Sequence, residues 1–252
     1  KYFKIDVKNL IICAGGIEST ALILKSIKNG KLKNLKNKKY VGRYFMDHPK
    51  GNVGYLKFPK KKLLSDISLK IRNKYLSYYG FSIKKRDQIS KKYLNTYVRF
   101  EEVNNNVEKI LKIFGEKINR IFNNNYKKTY QIRVFLEMQP DFKNFLSINK
   151  KNKIVINIKY GNKEIETLNF LLKEVYNFFS EKPKLEKINL FNKRNLNLMD
   201  ASHHMGGLIY PKIVNKNLKL NGTKNIYCCS SAIFPTSGSL NPTFTICALA
   251  LR

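Results

Sequence analysis

The stretch that decides the fold runs from Phe234 to Leu251 and reads FPTSGSLNPTFTICALAL. Asn241 and Pro242 stand directly before an apolar run of helix-forming residues. Asn is a favoured helix cap, and Pro is favoured at the first helical position, where no amide hydrogen is needed. The sequence therefore predicts a helix that runs from Pro242 and directs its free amides and partial positive charge at a bound group.

A second informative segment, Asp200 to Gly207, reads DASHHMGG and contains two of the three histidines in the chain. Histidine is the one side chain whose unperturbed pKa lies near neutral pH, so it is the ordinary general base of enzymes. A base, the amides of a helix end and the carboxamide of Asn241 together indicate acid–base or redox chemistry on a polarised group.

The bulk composition fits one or two globular domains. The chain has 252 residues, of which 43% are hydrophobic, enough for a sizeable core. It opens at Lys1 rather than at a methionine, and we expect a fragment of a longer protein. The first residues do not resemble a signal peptide, and no apolar run reaches the length of a membrane helix.

The net charge of +32 has two interpretations. One is a basic module that binds nucleic acid or another polyanion. The other is compositional drift, because Lys, Asn, Ile, Phe and Tyr abound together while Trp is absent. The basic residues are scattered rather than gathered into one stripe, so drift is the favoured interpretation and no nucleic-acid partner is expected.

The four cysteines do not form a metal or disulfide pattern. No C-x-x-C occurs among Cys13, Cys228, Cys229 and Cys247. Buried reduced thiols are the default for such spacing, and neighbouring cysteines in a strand point to opposite faces. Reduced thiols fit a reducing compartment, and we expect the protein to be cytoplasmic.

Hydrophobic periodicity predicts a mixture of strands and amphipathic helices. Residues Asn9 to Ala14 form a short apolar run before two glycines, which predicts a buried strand, a tight turn and then a helix. A strand–glycine–helix unit can bind a phosphate or the edge of a cofactor, although G-x-G-x-x-G is absent. Further strands are predicted over 51–58, 78–83, 130–138, 144–148, 153–158 and 226–229, and helices over 107–122 and 163–180.

These elements predict an α+β fold with two regions. Residues 1–49 and 196–252 are expected to be α/β remnants of one cofactor-binding domain, located at the two ends of the chain. Residues 50–195 are expected to form an inserted domain, an antiparallel sheet with helices.

Motifs over the whole length of the chain resemble, in order, the C-terminal half of the glucose–methanol–choline (GMC) flavoprotein oxidoreductases. The closing segments are most similar to the bacterial sugar- and polyol-dehydrogenase branch. The motifs are AGGIEST (14–20), VGR with DHP (41–43 and 47–49), EMQP (137–140), SHHMGG (202–207), and NIY, FPTSG and NPT (225–227, 234–238 and 241–243).

The resemblance implies that the enzyme oxidises an alcohol group of a sugar, polyol or related small molecule, with hydride transfer to FAD. In that scheme His203 is the base and Asn241 stabilises the developing alkoxide and also caps the final helix. His204 is expected to contact substrate, and the resemblance implies that the inserted domain of residues 50–195 binds substrate. The resemblance further implies cofactor contacts from Ala14, Gly15, Gly16, His48, Ser230, Ser231, Asn241, Pro242 and Thr243.

Some alternatives stay open at this point. The family's base precedes a glycine by three residues, which favours His203 over His204 as the base. The alternative for either histidine is a purely structural role, as a hydrogen-bonded residue of the core. A metal site from Asp47, His48 and one of these histidines lacks ligand spacing.

The chain also departs from the family pattern. Leu208-Ile209-Tyr210 stands where the family usually has a polar pair and a methionine, so the rim of the pocket cannot be assigned from the family pattern. Ser230-Ser231 stands where other branches of the family have an acidic residue or glycine. The family's ADP-binding front half is missing, so the fragment by itself is expected to be inactive, and an inactive remnant is a further alternative. A dehydrogenase is favoured over an oxidase, and the electron acceptor is not identified.

Overall fold

The computed structural model describes residues 4–58, 70–72, 75–77, 80–103, 128–180, 187–190 and 197–252. The chain divides into two compact units. The first unit comprises Lys1–His48, Glu137–Glu164 and Asp200–Arg252, and the second comprises Pro49–Leu136 and Ile165–Met199. The mixture of helices with antiparallel sheets confirms the α+β fold class.

The first unit joins the two ends of the chain through a parallel strand pair. Strand β1 (Leu10–Ile12) lies beside β12 (Ile226–Cys228), with Leu10 opposite Ile226. Helix α1 (Gly15–Lys28) follows β1, and helix α4 (Thr243–Leu251) ends the chain. The parallel pairing of residues far apart in sequence explains why both ends belong to one unit.

An apolar cluster lies beneath this strand pair and includes Ile23, Leu208, Val214 and Cys228. The expectation of a buried first strand is wrong for two of its residues, because Leu10 is 44% and Ile11 is 61% exposed, whereas Ile12 is buried. Cys228 is buried and Cys229 half-buried, as expected for neighbours on opposite faces of a strand.

A hairpin also belongs to the first unit. Strands β8 (Phe145–Ile148) and β9 (Ile154–Asn157) pair antiparallel, which confirms two of the predicted strands. The unit boundaries differ from the expected domain limits here, because residues 137–164 group with the chain ends rather than with the middle of the chain. The motif at 137–140 directly follows strand β7 of the second unit and belongs to the first unit.

The second unit is built on an antiparallel sheet. Its strand order is β10–β2–β7–β6–β5, and β11 also pairs with β2. The strands are β2 (Lys50–Phe58), β5 (Gly80–Ser82), β6 (Thr96–Glu102), β7 (Lys128–Leu136), β10 (Lys187–Leu190) and β11 (Asn197–Met199). A separate strand pair, β3 (Lys70–Arg72) with β4 (Tyr75–Ser77), and the short helix α2 (Lys85–Lys91) complete the described elements of this region.

Helix α3 (Asn162–Ser180) supplies the helical part of the second core. Its predicted apolar face is confirmed, since Leu168, Val175 and Phe179 are buried among Val98, Phe100 and other residues of the sheet. The helix predicted over 107–122 lies outside the described residues. The assignment of cofactor-binding and substrate-binding roles to the two regions stays a prediction.

Candidate active site

The histidine segment is held against the loop at residues 42–48 by backbone hydrogen bonds. Met46 and Met205 donate to each other's carbonyl oxygens, each over 2.8 Å. Gly42 donates to the carbonyl of Gly207 over 2.7 Å. Two segments that lie far apart in sequence thereby run side by side, joined by the antiparallel bridge of Met46 with Met205.

Gly206 and Gly16 allow this close packing. Gly206 has φ +80°, and a Cβ atom there would lie 2.0 Å from the carbonyl oxygen of Tyr44. At Gly16, on the first turn of α1, a Cβ atom would lie 2.2 Å from the carbonyl oxygen of His204. Glycine at these positions therefore brings α1 and the 42–48 loop against the histidine segment.

His203 contacts a second histidine. Its Nδ1 lies 2.7 Å from Nε2 of His48, and the two rings lie 4.6 Å apart between centroids. His48 is fully buried, whereas His203 is partly exposed. One hydrogen must lie between two ring nitrogens at this distance, so the tautomers of the two rings are linked.

A pair of carboxyl groups lies behind the histidines. Asp47 is 4% exposed and accepts hydrogen bonds from the backbone amides of Ala201, over 2.8 Å, and His203, over 3.3 Å. The carboxyl group of Asp200 lies close enough to that of Asp47 for each to affect the pKa of the other. Nε2 of His204 lies 3.0 Å from Asp200, so the chain of contacts extends across the segment.

The two carboxyl groups have pKa values displaced in opposite directions. Burial, aided by the neighbouring Asp200, raises the pKa of Asp47, although backbone amides oppose the rise. Burial by itself would raise the pKa of Asp200, but the amide of Ser202, the imidazole of His204 and the Asp47 carboxyl together lower it. Of the two carboxyl groups, Asp47 therefore binds a proton more readily and Asp200 ionises more readily.

An open cavity of about 330 Å³ collects most of the predicted residues. It is bounded by the beginning of α1, the two adjacent histidines and the beginning of α4. Two helix N-termini with partial positive charge thus face one space together with an imidazole, an arrangement suited to an anionic or polarised group. The predicted residues in its lining are Ala14, Gly15, Gly16, His203, His204, Ser231, Pro242 and Thr243.

Three predicted residues do not line this cavity. His48 lies buried next to His203. Ser230 is buried, and its hydroxyl contacts the thiol of Cys228 and accepts the amide of Ala232, as a cap of the short 3₁₀ turn that follows. Asn241 is exposed. The assigned roles of these three residues stay predictions.

The start of the final helix differs from the expectation in its cap. Helix α4 begins at Thr243, and its cap position is Pro242, which already has helical φ and ψ of −78° and −16°. No side chain caps this helix, because proline has no capping group. The prediction of a cap by Asn241 is therefore wrong, whereas the predicted placement of Pro242 at the helix start is confirmed within one residue.

Ser231 anchors the histidine segment as well as lining the cavity. Its hydroxyl donates to the carbonyl of His204 over 2.6 Å, and its own carbonyl accepts the amide of Gly206 over 3.1 Å.

The polar loop near 237 is also fixed, since the hydroxyl of Ser237 accepts the amide of Met138 over 2.9 Å. The segment 137–138 thus positions the approach to α4.

The sequence-based reasoning missed the Asp47–Asp200 pair. Asp47 was considered only as a metal ligand, and Asp200 was given no role. One signal was available, because Asp200 precedes His204 by four residues and Asp47 directly precedes His48. Leu208 and Ile209 are buried, and none of the three residues 208–210 lines the cavity.

A larger cavity of about 490 Å³ in the first unit lacks comparable chemistry. Its lining includes Cys13, Tyr227 and Cys229 but neither a histidine nor a carboxylate. Within the described ranges, no group of three or more His, Cys, Asp or Glu side chains could hold a metal ion. In the same ranges, none of the helices combines the length and apolar character needed to cross a bilayer.

Comparison with known proteins gives a family match over part of the chain and a similar fold. Residues 140–250 match the family model described as GMC oxidoreductase. The structure is similar to pyridoxine 4-oxidase from Mesorbium loti, with a TM-score of 0.55 and 14% identity, over 96% of this chain and 50% of that one.

The structure is also similar to that of a formate oxidase mutant from Aspergillus oryzae RIB40, which is described as addressing the effect of the mutation on FAD modification. The TM-score is 0.53 at 13% identity, over 96% of this chain and 53% of that one. The chain therefore spans about half the length of these two solved structures. No curated protein matches the sequence significantly.

Proposed function

We propose that the chain is the catalytic half of a flavoenzyme that oxidises an alcohol group of a small molecule, because its residues 140–250 match the family model described as GMC oxidoreductase. The observation that carries the proposal is the cavity in which His203 meets the N-termini of α1 and α4. The family match and the fold support flavin-dependent alcohol oxidation in general.

His203 is the proposed base. Oxidation of an alcohol removes a proton from oxygen and a hydride from carbon, and the proton needs an acceptor that is neutral near pH 7. His203 lines the cavity, and its Nδ1 is engaged by His48, so the ring nitrogen that meets the substrate is Nε2. The backbone amide of His203 bonds to Asp47, which fixes the segment that carries the ring.

The residues around the cavity suit the reactive end of FAD. Gly15 has φ +73° and no atom within 4 Å of a hypothetical Cβ, so a flat group can approach the start of α1 closely. When bound, FAD would accept the two electrons and the hydrogen that leave the carbon. Ala14, Gly16, Ser231 and Thr243 would hold it, with the helix N-termini favouring negative charge on the reduced ring.

Asn241 and His204 complete the proposed substrate site. Asn241 directly precedes the α4 residues of the lining and would donate its carboxamide to the developing alkoxide. His204 also lines the cavity, while Asp200 holds its Nε2 and its ring stacks on Phe45 at 5.8 Å. These contacts fix the orientation of His204, which would contact a second hydroxyl group of the substrate.

We infer a sugar or polyol as the substrate class, and a dehydrogenase rather than an oxidase. The support is the similarity of NIY, FPTSG and NPT to the sugar- and polyol-dehydrogenase branch. Leu208 and Ile209 are buried and lie outside the cavity lining, so the argument for an inactive remnant that rests on the rim of the pocket loses its support. The net charge of +32 is the single observation that favours a polyanion-binding module instead.

The test uses the whole protein that carries this chain, loaded with FAD. Sugars and polyols are mixed anaerobically with it, and loss of the oxidised flavin absorbance is followed. We expect His203→Ala to retain the flavin and to slow its reduction by about 10²- to 10⁴-fold. Lys224→Ala, an exposed change outside the cavity lining, serves as the control. Equal reduction rates in both variants would refute the base assignment.

Oxygen and an artificial quinone are then compared as acceptors of the electrons of the reduced enzyme. Faster reoxidation by the quinone supports the dehydrogenase, whereas rapid formation of hydrogen peroxide with oxygen would contradict it.

A further inference from the structure

We propose that His48 is a positioning residue that keeps the ring proton of His203 on Nδ1, so that Nε2 offers its lone pair to the cavity. The proposal rests on the proposed function of His203 as a base. It replaces direct cofactor contact as the role of His48, and it assigns a purpose to a histidine that is buried and does not line the cavity.

The contact itself requires a choice of tautomer. His203 Nδ1 and His48 Nε2 lie 2.7 Å apart, which two lone pairs cannot approach without a hydrogen between them. If His203 donates, its Nε2 is a base directed at the substrate. If His48 donates, His203 carries its proton on Nε2 and can only act as a donor. Base catalysis therefore requires His48 to be the acceptor.

The backbone brings the two rings together by register. Met46 and Met205 pair antiparallel, and the same register extended by two residues places His48 opposite His203, on the same face. The two reciprocal 2.8 Å hydrogen bonds of the methionines fix this register. The bond from the amide of His203 to Asp47 holds the other side of the segment. The ring contact is thus built into the fold.

The charges around the pair favour a neutral His48. It is fully buried, so a second positive charge beside a protonated His203 would be strongly disfavoured. Burial raises the pKa of the neighbouring Asp47 carboxyl, which disfavours the anion that would stabilise a positive charge on His48. Asp200 faces His204, Glu18 lies across the cavity lining, and Tyr160 lies near both Asp residues.

A neutral acceptor has a further consequence for the base. When Nε2 of His203 takes the substrate proton, the ring becomes a cation that donates through Nδ1 to the neutral ring of His48. That hydrogen bond is charge-assisted and stronger than the bond between two neutral rings. His48 therefore orients His203 before the proton transfer and stabilises it afterwards.

The experiment reads the tautomer directly, without FAD or substrate. The 252-residue chain contains three histidines, so long-range ¹H–¹⁵N spectra of the histidine-labelled chain show three rings. We expect His203 to carry its proton on Nδ1 at pH values above its titration. His48→Gln, whose amide oxygen can accept, should preserve that tautomer, and His48→Phe, which cannot accept, should lose it. The amide spectrum of each variant verifies that the fold is retained.

A proton on Nε2 of His203 in the unaltered chain would overturn the proposal, whatever the variants do. In the FAD-loaded whole enzyme, His48→Phe should lower kcat/KM by at least about tenfold and shift the pH profile of kcat/KM. The decrease should not exceed the factor of about 10⁴ that a general base contributes. His48→Gln should recover most of the lost kcat/KM. If the tautomer is as expected but His203→Ala leaves flavin reduction unchanged, the proposed function fails and the assignment of His48 stands as a structural fact.

Discussion

Replacement of Asp47 by alanine tests the packing behind the histidines. The Asp47 carboxyl accepts two backbone amides, from Ala201 at 2.8 Å and His203 at 3.3 Å, and the nearby Asp200 carboxyl affects its pKa. Asp47 and Ala201 are both 4% exposed, so the amide of Ala201 loses its partner in a place that water reaches poorly. Asp47→Ala therefore leaves one buried donor unsatisfied and a second one weakened.

The expected destabilisation is about 2 kcal/mol. A buried unsatisfied donor costs about 1–3 kcal/mol, and the partly buried amide of His203, with its longer bond, adds a smaller amount. Removal of the buried carboxyl returns part of that loss. About 2 kcal/mol is a factor of about 30 in the unfolding equilibrium, and it lowers a melting temperature by about 4–8 °C in a protein of this size.

The pH dependence has a definite sign. Burial raises the pKa of Asp47 above the ordinary value of 3.8, so the folded state favours the protonated form. The contribution of Asp47 to the free energy of unfolding is complete below pH 3.8 and is lost as the pH rises through the raised pKa of the folded state. Asp200, whose pKa is lowered, behaves oppositely, and its contribution is lost as the pH falls below 3.8. Asp47→Asn removes the first titration and should gain stability relative to the unaltered chain as the pH rises from 4 to 8.

Urea unfolding of the unaltered chain, Asp47→Ala and Asp47→Asn at pH values from 4 to 8 measures both effects. Asp6→Ala removes the same group from an exposed position and serves as the matched control. If Asp47→Ala unfolds at the same urea concentration as Asp6→Ala, the hydrogen-bonding argument is wrong. If the difference between Asp47→Asn and the unaltered chain does not change with pH, the argument from burial is wrong.

Three further predictions use simpler measurements. Gly16→Ala should destabilise the chain by about 1–3 kcal/mol in thermal unfolding, because its Cβ would lie 2.2 Å from the carbonyl oxygen of His204; a gain, as Gly→Ala ordinarily gives within a helix, would contradict the close packing. Burial raises the pKa of Cys228 to about 11, so at pH 8 iodoacetamide should modify the exposed Cys13 and spare Cys228, as measured by mass spectrometry of the folded chain. Binding to single-stranded DNA should be weak at 150 mM salt in fluorescence anisotropy, and tight binding with a steep salt slope would favour the polyanion-binding alternative.

Local sequence patterns predicted the regular elements because those patterns report on nearby residues. The period of α3 placed Leu168, Val175 and Phe179 on its buried face, as observed. The alternation over 130–138 corresponds to β7, which extends from Lys128 to Leu136. The first strand formed where expected, but its exposure was misjudged, because an apolar run does not show which of its faces is covered.

The GMC motifs identified the histidine segment and the helix start near Pro242, and the tertiary structure brought them to one cavity. Sequence reasoning did not identify His48 as the partner of His203, nor Asp47 as the acceptor of its backbone amide. Both contacts depend on the antiparallel register of Met46 with Met205, which is set by long-range hydrogen bonds.

The order of the residues by itself determined the α+β class, the apolar faces of the helices and the chemical types available for catalysis, since these properties depend on side chains a few positions apart. Only the tertiary structure decided which groups touch. A single ring-to-ring distance, the closeness of two carboxyl groups and the exposure of a strand are set by segments that meet from distant parts of the chain, and no local pattern encodes such a meeting.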